Sequence, residues 1–108
     1  MARSYKIETL AGSKYEAYRF VLSTGKAGEY YGVQGTAWRT PPILVKPDRI
    51  QTVGDRRLLL YADGGKLRMV GWRTPEGAYW VSNTLNRALS NREMIGLAVS
   101  LSAAPGKR

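Results

Sequence analysis

Two tight-turn signals constrain the second half of this 108-residue chain more than any other feature. Ala62-Asp63-Gly64-Gly65 joins two runs, Arg56 to Tyr61 and Lys66 to Thr74, through Asp-Gly and Gly-Gly pairs that tolerate positive φ. Thr74-Pro75-Glu76-Gly77 then sets proline where φ of about −65° is wanted, and glycine where a left-handed residue closes a three-residue hairpin loop. Ala78 to Leu85 becomes the third strand of an antiparallel meander. Because side chains alternate across a strand, Leu58 and Leu60 are predicted to share a face with Leu67 and Met69. Arg57 and Tyr61 then share the opposite face with Arg68 and Trp72. One face reads as apolar, the other as cationic and aromatic.

The first half is less regular. Ser4 to Leu10 and Lys14 to Ser23 read as two short strands joined at Ala11-Gly12-Ser13. Gly28 to Trp38 mixes aromatics with glycines, and glycine within a strand marks a bulge or the close approach of another backbone or a ligand. Arg39-Thr40-Pro41-Pro42 ends any strand, since proline cannot donate to a ladder, and a surface loop is expected to about Asp48. The one clear helix comes last. Ser90 caps it, Glu93 completes a capping box, and Met94, Leu97, Ala98 and Leu101 form an apolar stripe that must cover a sheet face. Gly96 costs about 1 kcal/mol against alanine, which suggests close helix-to-sheet contact there. The fold class is therefore α+β: an antiparallel sheet of about five to seven strands, built from a meander and hairpins and packed by one C-terminal helix. The chain reads as one domain over 1–108, with 1–4 and 103–108 frayed, and whether the strands form one sheet or two is left open.

A chain of this size builds one core, burying about two thirds of its unfolded surface. Its 44% apolar content, with seven Tyr and three Trp, fills that core without disulfide or metal. Cysteine and histidine are both absent, so thiol chemistry, zinc fingers and imidazole acid–base catalysis fall away. The eight acids are scattered, and no spacing proposes a catalytic carboxylate pair. The expectation is a non-enzyme without cofactor or metal. The formal charge of +9, shared evenly between the halves, points to anionic partners: nucleic acid, phosphate-bearing polymer or lipid head groups. No apolar run approaches the roughly 18 residues of a membrane span, and Met1 to Leu10 lacks the apolar stretch of a signal peptide, which suggests an intracellular chain or an excised piece. Charge repulsion favours a monomer.

Candidate ligand-binding residues are Tyr30, Tyr31, Trp38, Arg39, Arg57, Arg68, Trp72 and Arg73. Trp38, Trp72 and Trp80 suit a carbohydrate platform, although large aromatics in a small domain are ordinarily core. Arg39, Arg68 and Arg73 suit bidentate phosphate binding, although solvated strands carry arginine routinely. Tyr30 and Tyr31 line a cleft, or place one ring in the core and one at the surface. Asn83 is best read as a structural hydrogen-bonding residue.

The segments Gly28-Glu-Tyr-Tyr-Gly-Val-Gln-Gly-Thr-Ala-Trp38, Pro41-Pro-Ile-Leu44 and Trp72-Arg-Thr-Pro-Glu-Gly-Ala-Tyr-Trp-Val-Ser-Asn-Thr-Leu85, followed by Leu89-Ser90 and Met94, resemble a domain appended to actinobacterial LytR-CpsA-Psr proteins. These are membrane-anchored, extracytoplasmic enzymes that transfer lipid-linked glycopolymers onto peptidoglycan. The likeness runs from about Tyr15 to Leu101, and its most specific element is Tyr79 to Leu85 before the capped helix. It implies a non-catalytic accessory domain in the cell envelope, near its own catalytic domain and near anionic glycopolymer or head groups, with no active-site residue of its own. The alternatives are a cytoplasmic single-stranded nucleic-acid binder using basic strand faces and aromatics, or a structural spacer. No recognised nucleic-acid motif favours the first of these.

Overall fold

The computed structural model describes residues 2–8, 14–26, 29–84 and 86–102, with side chains described from Ala17 onward. The strands are β1 (Ala2–Glu8), β2 (Lys14–Ser23), β3 (Tyr30–Thr36), β4 (Arg49–Val53), β5 (Arg56–Asp63), β6 (Lys66–Thr74) and β7 (Gly77–Ser82), followed by helix α1 (Asn91–Ser102). They form one antiparallel sheet in the order β1-β2-β3-β7-β6-β5-β4, with α1 packed against β6, β7 and β5. The fold is α+β, and the choice between one sheet and two resolves to one. The turn at 11–13, Gly28, Leu85 and the C-terminal 103–108 lie outside the described residues.

The strand order dictates how the chain covers the sheet. β3 pairs with β7, whereas β4 lies at the far edge, so residues 37–48 must cross β7, β6 and β5 to get there. They cross on the face opposite the helix. A 3-10 turn at Pro42–Leu44 drives Leu44 into that face, where it packs with Leu59, Tyr61, Met69, Ala78 and Trp80. Pro41 is buried too. The segment expected to be a surface loop is thus a strap that closes a second core. Gly71 makes room for it: a Cβ there would lie 2.5 Å from Leu44 Cδ2.

The expected two-face pattern needs correction. Leu58, Leu60 and Leu67 do lie together under the helix, and Arg68 does share a face with Tyr61, but Met69 and Trp72 have exchanged sides. The cause is a β-bulge. Tyr61 pairs with Met69 while Ala62 pairs with Leu67, so Arg68 is an extra residue and the alternation of β6 reverses across it. Trp72 consequently joins Val70, Val81, Met94 and Ala98 in the helix-side core. Beyond the last β6–β7 pair, Met69–Ser82, the backbone of Leu67 is met by two asparagines. Asn91 Oδ1 accepts from Leu67 N–H at 2.8 Å, and Asn83 Nδ2 donates to Leu67 O at 2.9 Å. Asn83 Nδ2 also donates to Leu89 O, and its Oδ1 accepts from the amides of Thr84 and Leu89, so the structural reading of this residue holds.

Several local expectations hold and others shift. Ser90 Oγ accepts from Glu93 N–H at 3.1 Å while Glu93 Oε1 accepts from Ser90 N–H at 2.8 Å, completing the capping box. Met94 and Ala98 are fully buried and Leu97 and Leu101 partly so. Gly96, expected at a close helix-to-sheet contact, faces open space. Gly77 does not close a three-residue loop in the left-handed region. Thr74 pairs directly with Gly77 across a two-residue turn, and glycine is needed there because a Cβ would sit 2.1 Å from Thr36 O. β7 stops at Ser82, short of Leu85, and β1 starts at Ala2, ahead of Ser4. The irregular glycine-aromatic stretch contains a regular inner strand, in which Gly35 receives the rings of Tyr18 and Tyr79. β4, beyond the expected loop, has no counterpart in the sequence reading.

Candidate anion-binding cleft

The pairing of β5 with β6 runs from Asp63–Lys66 to Leu59–Gly71 and ends there. β5 nevertheless extends back to Arg56, held by β4 as far as Val53, while β6 extends on to Thr74, held by β7 as far as Gly77. Two hairpin ends therefore part, and a cleft of about 820 Å³ opens between them, roofed by the strap and reaching the end of α1 at Ser102. Arg39, Lys46, Arg56, Arg57 and Arg73 line it, against one carboxylate, Asp55.

These five cations divide into two kinds. Arg39 and Arg73 fasten the strap to β6: Arg39 Nε donates to Thr74 O at 2.8 Å, Arg73 Nε to Arg39 O at 2.6 Å, and Arg73 Nη2 to Leu44 O at 2.9 Å. Arg56 pairs with Asp55 and donates through Nε to Ser102 Oγ at 3.1 Å, tying β5 to the helix. Among the described residues, Lys46 and Arg57 enter no salt bridge and no side-chain hydrogen bond, and both are exposed. Lys46 also stands at φ 51, in the left-handed region that a non-glycine residue adopts at a cost of about 1–2 kcal/mol. That geometry belongs to the turn that presents Lys46 over the cleft.

Of the eight sequence candidates, Arg39, Arg57, Trp72 and Arg73 come together here. Trp72 contributes only an edge, since it is 5% exposed and stacks on Tyr79 with ring centroids 5.9 Å apart. Arg68 lies elsewhere, its guanidinium 5.7 Å from the Tyr61 ring centroid. Tyr30 is an exposed ring at the start of β3, and Tyr31 packs on the helix-side core and lines a separate cavity beside Thr24 and Leu97. Trp38 is half-buried, its amide donating to Thr36 Oγ1. With Trp72 and Trp80 buried, the three tryptophans do not form one exposed platform. The sequence reading missed Lys46 and Arg56, whose place in the cleft depends on a strap crossing and a strand separation that no local pattern announces.

Beneath the strap, burial raises the Tyr61 phenol above its ordinary 10.0, partly opposed by Arg73 and Arg68 and reinforced by Asp48. Its hydroxyl and Trp80 Nε1 are buried without a hydrogen-bond partner among the described residues. The cleft thus offers positive charge and guanidinium donors, groups of the kind that make charge-assisted hydrogen bonds. Among the described residues no three acids converge as metal ligands, and no helix is long and apolar enough to cross a membrane. Protein-family models, curated proteins and solved structures were compared with the chain, and none matches.

Proposed function

We propose that this chain is a non-catalytic binding domain that holds an anionic polymer or head group in the cleft between the β4–β5 and β6–β7 hairpins. The observation that carries this reading is the gathering of five cationic side chains around one cleft with a single, already paired carboxylate. Arg39, Arg56 and Arg73 shape the site, while Lys46 and Arg57 supply uncommitted charge. The resemblance to the accessory domain of LytR-CpsA-Psr proteins fits such a role, in which the domain would keep anionic glycopolymer close to a separate catalytic domain outside the membrane. A single-strand nucleic-acid binder would stack bases on sheet aromatics. Trp72 and Trp80, the tryptophans within the sheet, are covered by helix and strap, which favours the polymer reading.

Titration of teichoic-acid-like polymer, polyphosphate, peptidoglycan fragments and single-stranded DNA and RNA, followed by tryptophan fluorescence at two salt concentrations, tests the proposal. Phosphate polymers are expected to bind, weakening as salt rises because exposed charges are screened over about 8–10 Å. Combining Lys46→Gly with Arg57→Ala should weaken binding by about tenfold while leaving the fold intact. Binding that ignores both substitutions, or sequence-tolerant nucleic-acid binding well above that of the other polymers, would overturn it.

A further inference from the structure

The residues that border the cleft on its open side are not only basic. Ile43 and Val45 on the strap and Ile50 on β4 are 46%, 53% and 46% exposed, and all fall within eight consecutive residues, 43–50. The alternation around Leu44 explains the first two: the 3-10 turn sends Leu44 inward and its neighbours outward. Val45 and Ile50 line the same cleft as Lys46 and Arg57. The one acid in the segment, Asp48, is exposed, with its Oδ2 accepting from the backbone N–H of Ala62 at 2.8 Å. Around the cleft itself the segment contributes aliphatic and cationic side chains together.

A soluble polyanion has no use for three exposed aliphatic side chains. A bilayer carrying anionic head groups satisfies both halves of the pattern. Short apolar side chains enter the interface while lysine and arginine meet the phosphates, and the two contributions combine in peripheral binding. A phosphate-lined surface also complements the charge, whereas a purely apolar partner would leave Lys46 and Arg57 without counterions. The other exposed apolar cluster, Phe20 and Leu22 on β2, lines a groove with no cation among its described residues, so it gives no reason to choose an anionic partner.

We infer that the strap and β4 form a docking surface for an anionic lipid bilayer, with Ile43, Val45 and Ile50 inserting and Lys46 and Arg57 meeting lipid phosphates. This inference rests on the anion-binding reading of the cleft and names the anion as a head group held in a membrane surface. It is tested by co-sedimentation of the full chain with phosphatidylcholine vesicles with and without phosphatidylglycerol, beside titration with soluble polyphosphate. Wild type should bind the phosphatidylglycerol vesicles and should keep measurable binding at high salt, where charge attraction is screened. The triple substitution Ile43→Ser, Val45→Ser, Ile50→Ser should reduce vesicle binding at least about tenfold, and Ile43→Ser alone, outside the cleft lining, should reduce it less while leaving polyphosphate affinity unchanged. Val45→Ser alone, at the most exposed of the three, gives a smaller loss and serves if the triple variant melts early. Vesicle binding equal in wild type and variants, or absent from wild type, would overturn the inference and assign the aliphatic residues to another partner, such as a protein surface. Failure to bind polyphosphate with vesicle binding intact would instead count against the soluble-polymer reading.

Discussion

The two faces of the sheet are covered by different means. On one, a capped amphipathic helix lays Met94 and Ala98 over Leu58, Leu60, Leu67, Val70 and Val81, and most of its backbone groups pair within the helix. On the other, a strap with only one short 3-10 turn seals Leu59, Tyr61, Met69 and Trp80 with a single inserted leucine. Its backbone cannot satisfy itself, so carbonyls at Arg39 and Leu44 accept from Arg73. Among the described residues, the helix meets a cation only at its last side chain, where Arg56 donates to Ser102 Oγ. The strap is fastened by Arg39 and Arg73, and those cations leave a charged cleft beside it.

If the strap is core in the same sense as the helix side, Leu44→Ala should cost as much as Leu60→Ala, since each residue is 1% exposed. Both should lose about 2–5 kcal/mol in denaturant unfolding. A loss below about 1 kcal/mol at Leu44 would reduce the strap to a loosely held loop. Leu97→Ala, at a partly buried helix position, should cost less than either, about 1–2 kcal/mol. Arg73→Ala should cost about 1–2 kcal/mol through its two carbonyl contacts, and Arg73→Lys should not restore it, because lysine lacks the planar fork that reaches both carbonyls. Full rescue by lysine would show that charge alone holds the strap.

Smaller effects separate the faces further. Tyr61→Phe removes a buried hydroxyl that has no partner, so stability should change by less than about 0.5 kcal/mol or rise slightly. The pH dependence has a definite sign. The folded state raises the phenols of Tyr61 and Tyr18 above 10.0, chiefly through burial, so the folded chain holds those protons more tightly than the unfolded one. Their contribution is complete below the unfolded value and is lost as pH climbs through the raised folded values. Melting temperature should therefore fall above about pH 10, and less steeply in Tyr61→Phe. Arg68→Ala, losing one exposed cation–π contact, should shift stability by about 0.5–1 kcal/mol at most.

What the sequence made legible follows the same division. The capping box, the apolar stripe and both second-half hairpins rest on contacts a few residues apart, and the structure contains them all. The bulge at Arg68 carries no local signal, since no glycine or proline marks it, and the asparagines that meet the neighbouring Leu67 lie 16 and 24 residues away in sequence. That one extra residue put Met69 and Trp72 on the wrong faces. Two prolines signal only the end of a strand and so suggest a surface loop, whereas the burial of the strap depends on the β3–β7 pairing and on the space at Gly71. Half of the candidate site shared these causes. Arg39 and Arg73 drew attention by lying near tryptophans, yet their neighbours Lys46 and Arg56 are brought in only by the strap crossing and the parting of β5 from β6.

The most direct test is a map of amide and indole NMR shifts as polyphosphate is added to the intact chain. The largest changes should fall on Lys46, Arg56, Arg57, Arg73 and the Trp72 indole, around the cleft where the two hairpins separate. Changes centred on Tyr30, or spread evenly over the basic surface, would contradict a built anion site and leave only general electrostatic attraction.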